Sequence, residues 1–305
     1  MDTAPPDFKS YWDETLNDLG RFSPAPAVTP IPLRTTGFAT LYGVRLTSLG
    51  PYRIFGYISV PTGTGPHPVL YFTPRYQSVV QPVPQGISNE LRRHFIVFSL
   101  AARGQRNADE PFAADFPGWL TEGIANPASY IFRGVVADCV RGLEFIAGWE
   151  GVDPGRIAVV GNDLAFMTAA LGNGATPGAT HGATHVATAP ELFFGLPPKG
   201  VPYPRAEIND HLRRTPADRD AVRRTLSLYD LRAFAPTAPA ARLILAGPAG
   251  AELDGKALAP LAESEHATLR ESKRSNYKDG LTLLSWLAER FDMPDPQALL
   301  PRAWR

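Results

Sequence analysis

Cysteine is almost missing from this chain. Cys139 is the only one among 305 residues, so no intramolecular disulfide can form, and a reducing, cytoplasmic setting is expected. Cys139 falls inside an apolar helical pattern and reads as a buried structural thiol. Net charge is missing as well. Lys+Arg and Asp+Glu both number 30, which leaves no basic surplus for a nucleic-acid or anionic-membrane partner. No apolar run approaches the length of a membrane span. The first six residues, Met1 to Pro6, carry neither the basic nor the apolar stretch of a secretory signal. Internal repeats and long charge runs are absent. Of the six histidines, only His181 and His185 have the i, i+4 spacing of a helical metal pair. The Gly/Ala/Thr-rich composition around them does not read as a helix, and no Glu stands between them, so no metal or cofactor is expected.

What is present suits one large α/β domain. Apolar residues make up 44% of the chain and aromatics 10%, ordinary values for a globular protein. Spacing predicts a first helix over 8–20 and strands over about 40–48 and 52–60. Short apolar runs then read as buried parallel strands: 69–73, 95–100, 157–160, 186–189 and 243–246. Helical patterns separate them, the clearest over 130–149, with others near 164–173 and 277–290. The Pro-rich stretches 24–32 and 196–204 read as loops. Strand–helix alternation implies a mostly parallel sheet covered on both faces. A helical pair near 205–228 interrupts it. The expected organisation is a single domain over 1–305. Residues 1–35 form an amino-terminal helix and extension, and 190–235 insert as a cap over the carboxyl end of the sheet, where such folds bind ligands.

Several segments carry a resemblance. They are Asp7-Phe8 with Tyr11-Trp12-Asp13-Glu14-Thr15-Leu16; Arg103-Gly104-Gln105; Pro117-Gly118-Trp119-Leu120-Thr121-Glu122-Gly123-Ile124; and Asn126-Pro127 with Tyr130 through Arg133. Further along come Val152-Asp153-Pro154 with Arg156-Ile157, Tyr203 with Ala206-Glu207-Ile208, and Arg224-Thr225-Leu226-Ser227 with Asp230. In this order and spacing the chain resembles the acetyl xylan esterase and cephalosporin C deacetylase family. The resemblance implies an α/β-hydrolase fold, hydrolysis of acetyl esters on sugars or a cephalosporin by a Ser nucleophile with an Asp–His pair and an oxyanion hole, and a ring-like homo-hexamer.

The positions that would do this chemistry hold other residues. The nucleophile elbow, normally G-x-S-x-G, reads Gly161-Asn162-Asp163-Leu164-Ala165. The family's histidine aligns with Asn276, and its acid with Gly250; Glu252 or Asp254 could stand in for the acid only if a histidine were there to orient. One oxyanion donor falls on Pro74, which has no N–H, with Arg75 as the substitute; the other falls on Leu164. Asp163 and Glu191 both belong at the carboxyl end of the sheet. Two carboxylates in one closed pocket push their pKa values apart and could act as acid and base. The alternative is that Asp163 bonds backbone amides and Glu191 is solvated. Arg75, Tyr76, Asn162, Glu191, Asn276 and Tyr277 are the expected pocket lining.

Three readings follow. In the first, the fold is kept for ligand binding or assembly, in a homo-oligomer or a mixed oligomer with an active paralogue, and hydrolysis is abandoned. In the second, a repurposed enzyme uses Asp163 for proton transfer in acetate elimination, epimerisation or cyclisation. In the third, residual hydrolysis passes through an Asp163 ester, although no base is present for its second step.

Overall fold

The computed structural model describes residues 4–80, 90–105, 108, 114–172, 182–293 and 299. His181 lies outside them, so only His185 of the spaced pair can be placed.

Nine strands form one sheet: β1 (Ala27–Pro30), β2 (Ala39–Thr47), β3 (Arg53–Pro61), β4 (His67–Phe72), β5 (Ile96–Ala101), β6 (Val152–Gly161), β7 (His185–Thr188), β8 (Ala241–Ala246) and β9 (Ala267–Glu271). Their order across the sheet is β1-β2-β3-β5-β4-β6-β7-β8-β9. Strands β1, β2 and β3 pair antiparallel, and β3 joins β5 antiparallel. From β5 to β9 every pairing is parallel. This is the α/β-hydrolase architecture expected from the alternating pattern. The Pro-rich stretch 24–32 is not wholly loop. Ala27–Pro30 pairs as an exposed edge strand, the one place in a sheet where proline's missing N–H is tolerated.

Successive parallel strands lie on opposite sides of β4, with β5 on one flank and β6 on the other. A doubly wound sheet opens a crevice at such a reversal, beyond the carboxyl ends of its strands. The loops after β4 and β6 therefore flank the ligand site by topology alone.

The helices expected at 8–20, 130–149, 164–173, 205–228 and 277–290 are present, and three short ones, at 90–94, 231–234 and 255–258, were not foreseen. In chain order they are α1 (Phe8–Gly20), α2 (Glu90–His94), α3 (Ile131–Ala147), α4 (Asp163–Gly172), α5 (Ala206–Arg214), α6 (Arg219–Ser227), α7 (Leu231–Phe234), α8 (Gly255–Leu258) and α9 (Asn276–Arg290). Helix α3 is buried along almost its whole length, including Val135, Cys139, Leu143 and Ile146. Each such aliphatic side chain contributes roughly 1.5–3 kcal/mol on burial. The Cys139 thiol is fully buried, and burial pushes its pKa up, as befits an inert core residue. No helix among the described residues is long and apolar enough to cross a membrane.

The Arg103-Gly104-Gln105 turn after β5 is a structural joint. Arg103 forks onto Asp138 of α3, with Nε to Oδ2 at 2.9 Å and Nη2 to Oδ1 at 2.8 Å. Gly134 makes room for it: a Cβ there would lie 2.5 Å from the guanidinium. Gln105 is buried, accepts from the Ala102 N–H and donates to the Arg75 carbonyl. It thereby ties the turn after β5 to the loop after β4.

Candidate functional site

An open cleft of about 1210 Å³ sits at the predicted crevice. The loop after β4 contributes Thr73, Pro74, Arg75 and Tyr76; the corner between β6 and α4 contributes Gly161 and Asn162; and the loop after β7 contributes Pro190 and Glu191. Tyr203 and Pro204 close one side, and the segment between β9 and α9 closes another with Ser272, Arg274 and Ser275. Gly161 is required at the elbow, because a Cβ there would collide with the Thr73 hydroxyl.

Asp163 opens α4 and is 1% exposed. It does not line the cleft. Its carboxylate turns instead toward the loop after β7 and accepts from three consecutive backbone N–H groups. Glu191 N donates to Oδ2 at 2.9 Å, Phe193 N to Oδ1 at 3.0 Å, and Leu192 N to both oxygens at 3.0 and 3.1 Å. The expectation of Asp163 as an acid or base in a shared pocket is thus corrected, and for this residue the alternative, bonding to backbone amides, is the arrangement found. Burial pushes the Asp163 carboxyl above its ordinary value, and the backbone N–H bonds oppose the rise. Both oxygens act as acceptors, which is the hydrogen-bonding role of the carboxylate form.

Glu191 does reach the cleft. Asn162 Nδ2 donates to its Oε2. Burial, reinforced by the nearby Asp163 charge, pushes the Glu191 carboxyl up, while the Asn162 bond and the Arg75 charge pull it down. Asn162 is anchored in turn, because Thr188 Oγ1 donates to its carbonyl at 2.9 Å.

The remaining predicted positions fall as follows. Pro74 lines the cleft and offers it no N–H. Leu164 is 4% exposed, in the first turn of α4, and is not among the lining residues. Gly250 is exposed, with φ +81°, and its N–H donates to Asp254. Asp254 also caps α8 through the Lys256 and Ala257 amides, and Glu252 forms an ion pair with Arg205. Asn276 is the first residue of α9; its side chain lies outside the described set. Tyr277, expected in the pocket, is 42% exposed and does not line it. The face of α9 that meets the cleft carries Asp279, Gly280 and Leu283, and 277 is rotated off that face by the 3.6-residue repeat.

No histidine lines the cleft among the described residues. His266 is exposed beside β9, and His185 packs edge-on against Trp286 and Phe291. No group of three or more His, Cys, Asp or Glu suited to a metal ion occurs among the described residues.

Two features of the cleft were not assigned from sequence. The Asp279 carboxylate accepts from the Ser272 hydroxyl at 2.7 Å and from the Lys273 and Ser275 amides, which fixes the turn after β9. Glu207 of α5 is 4% exposed and accepts from the Tyr76 hydroxyl at 2.6 Å and the Leu120 amide at 3.0 Å. Gly118 lies against that carboxyl, where a Cβ would not fit. Glu207 thus joins the 205–228 helices to the wall of the cleft. Its motif context marked it, but not its partners, which lie 131 and 87 residues away.

A family model described as acetyl xylan esterase matches residues 1–247. An acetyl esterase of Xylanibacter ruminicola is 23% identical over 179 residues, 55% of this chain and 41% of the relative. The match therefore spans less than half of that longer protein. The fold is shared with an acetyl xylan esterase from a Thermoanaerobacterium species, at TM-score 0.75 and 18% identity over 95% of this chain and 96% of that one. An acetyl xylan esterase from a Paenibacillus species gives TM-score 0.75 and 23% identity over 94% and 96%.

Proposed function

The chain belongs to the acetyl xylan esterase family, and on that footing we propose that it is a non-hydrolytic member that keeps the esterase cleft to bind a small polar molecule. One observation carries the reading. At the elbow, where the mechanism needs a hydroxyl beside a base, stands a carboxylate turned away from the cleft and held by three backbone amides. That carboxylate now braces the β7 loop against α4, so the corner is kept as structure. The absence of any histidine from the described cleft lining supports the same reading. Nucleophilic attack through Asp163 fits the geometry poorly, since the residue does not face the cleft and both its oxygens already accept hydrogen bonds. The test is acetate release from p-nitrophenyl acetate and acetylated xylo-oligosaccharides by the purified full chain. A rate equal to that of buffer is expected. Turnover that disappears when a cleft residue is substituted would defeat the proposal.

A second reading has one specific observation in its favour. Glu191 faces the cleft, and burial together with Asp163 raises its carboxyl. A carboxyl so placed can hold or accept a proton, which suits elimination or epimerisation without a covalent intermediate. Substrate-dependent exchange of a ligand C–H proton in D₂O, lost in Glu191→Gln, would favour this over simple binding.

A further inference from the structure

Arginine stands on two sides of the cleft. Arg75 follows β4, and Arg274 lies in the turn after β9. Both are exposed, and neither side chain makes a hydrogen bond or ion pair to a described residue, although Arg75 acts on Glu191 at longer range. Among the described lining residues, Glu191 accepts through Oε2 from Asn162, and Asp279 accepts from Ser272 and two amides. Within that set the two arginines are free cationic donors, while both carboxylates already accept at least one hydrogen bond.

The arginines are also held by their surroundings. The Arg75 carbonyl accepts from the buried Gln105 amide at 3.0 Å and from the Ser78 N–H at 3.2 Å. Arg274 is left-handed, at φ +51°, and its N–H donates to the Ser272 hydroxyl. Gln77, two residues after Arg75, is left-handed at φ +44° and accepts from the Tyr203 hydroxyl. Left-handed non-glycine residues are strained and concentrate at ligand sites. Two of the four among the described residues sit in the loops that carry these arginines.

We propose that the cleft selects a small molecule bearing an oxyanion, carboxylate or phosphate, which Arg75 and Arg274 bind by charge-assisted hydrogen bonds. The planar guanidinium suits both anions. The ring of Tyr203, 59% exposed at the rim and 5.9 Å from that of Tyr76, offers an apolar face to the ligand body. The proposal rests on the reading of the cleft as a binding site.

The experiment is a calorimetric titration of the full chain with glucose, glucuronate and glucose 6-phosphate, repeated at raised salt. At least one anionic sugar should bind about tenfold or more tightly than glucose, and which one does so separates carboxylate from phosphate. Arg75→Gln should lose about tenfold of that preference, Arg274→Gln a similar or smaller share, and added salt should erode it. Both residues are exposed, so the variants should melt with the parent. Anionic sugars that bind no better than glucose, no binding by any of the three, or a preference untouched by both substitutions would overturn the proposal. Ester turnover measured on the same preparation would sink the binding-protein reading and leave the anion preference standing. Lack of anion preference in a protein that releases no acetate would sink this proposal alone.

Discussion

Replacing Asp163 with alanine removes the acceptor of three backbone N–H groups in a single step. Leu192 and Phe193 are 3% and 1% exposed, so their amides have no ready replacement partner. A buried donor left unsatisfied costs about 1–3 kcal/mol, and a bond to a charged acceptor is worth about 1.5–3 kcal/mol. Three such bonds set a gross loss of roughly 4.5–9 kcal/mol. Relief of the buried charge offsets part of it, as does the entry of a water into the space left behind. We expect a net loss of about 3 kcal/mol, near the upper end for a single substitution. At about 2–4 °C per kcal/mol for a large domain, that lowers Tm by roughly 6–12 °C. Asp163→Asn keeps one carbonyl acceptor but turns an NH₂ toward the same amides, so it should lie close to alanine. Asp163→Ser is too short to bridge and should restore no hydrolysis. Calorimetric melting of the four proteins is the assay. An alanine variant that melts within about 2 °C of the parent would refute the clamp.

Three further outcomes follow from the same geometry. His185 is held down to about 4 from 6.5, chiefly by burial and secondarily by the Arg290 charge. The unfolded chain takes up this proton first, so stability is full above about pH 6.5 and declines as pH falls toward 4; a pH series of melting temperatures should flatten over that window in His185→Phe. Gly134→Ala drives a methyl into the Arg103 guanidinium and displaces its fork on Asp138; because the guanidinium can shift while both partners stay, the loss should be about 2–4 kcal/mol, below the roughly 3–5 kcal/mol of removing one partner outright; urea unfolding would report it. Glu207→Gln keeps an acceptor for the Tyr76 hydroxyl and the Leu120 amide and should cost under about 1 kcal/mol, whereas Glu207→Ala removes it and should cost about 2–3 kcal/mol. Comparable unfolding midpoints for these two would contradict the role given to that carboxyl.

Much of the fold was legible because its signals are local. The apolar runs that became β4 through β8 and the spacing that became α3 are set by burial on a short stretch of chain. Strand β1 was missed because prolines mask an edge strand. At the elbow the residue exchange was visible, but the direction of its side chain was not. Asp163 turns away from the cleft because amides 28 to 30 residues further on converge there, and no local pattern encodes that. Tyr277 was misplaced for a different reason: the start of α9 fixed its position, but the helix face meeting the cleft depends on packing against β8. Gln105 belonged to a recognisable motif, yet its bonds to two separate turns emerge only from the folded chain.

Whether any cleft residue takes up an acyl group is the most direct question to put to this protein. Intact-mass measurement after rapid mixing with p-nitrophenyl acetate, alongside an Asp163→Ala control, answers it. The account predicts unmodified protein and p-nitrophenol released at the solvent rate. A covalent acetyl adduct mapped to a residue lining the cleft, formed and discharged on the timescale of turnover, would contradict it.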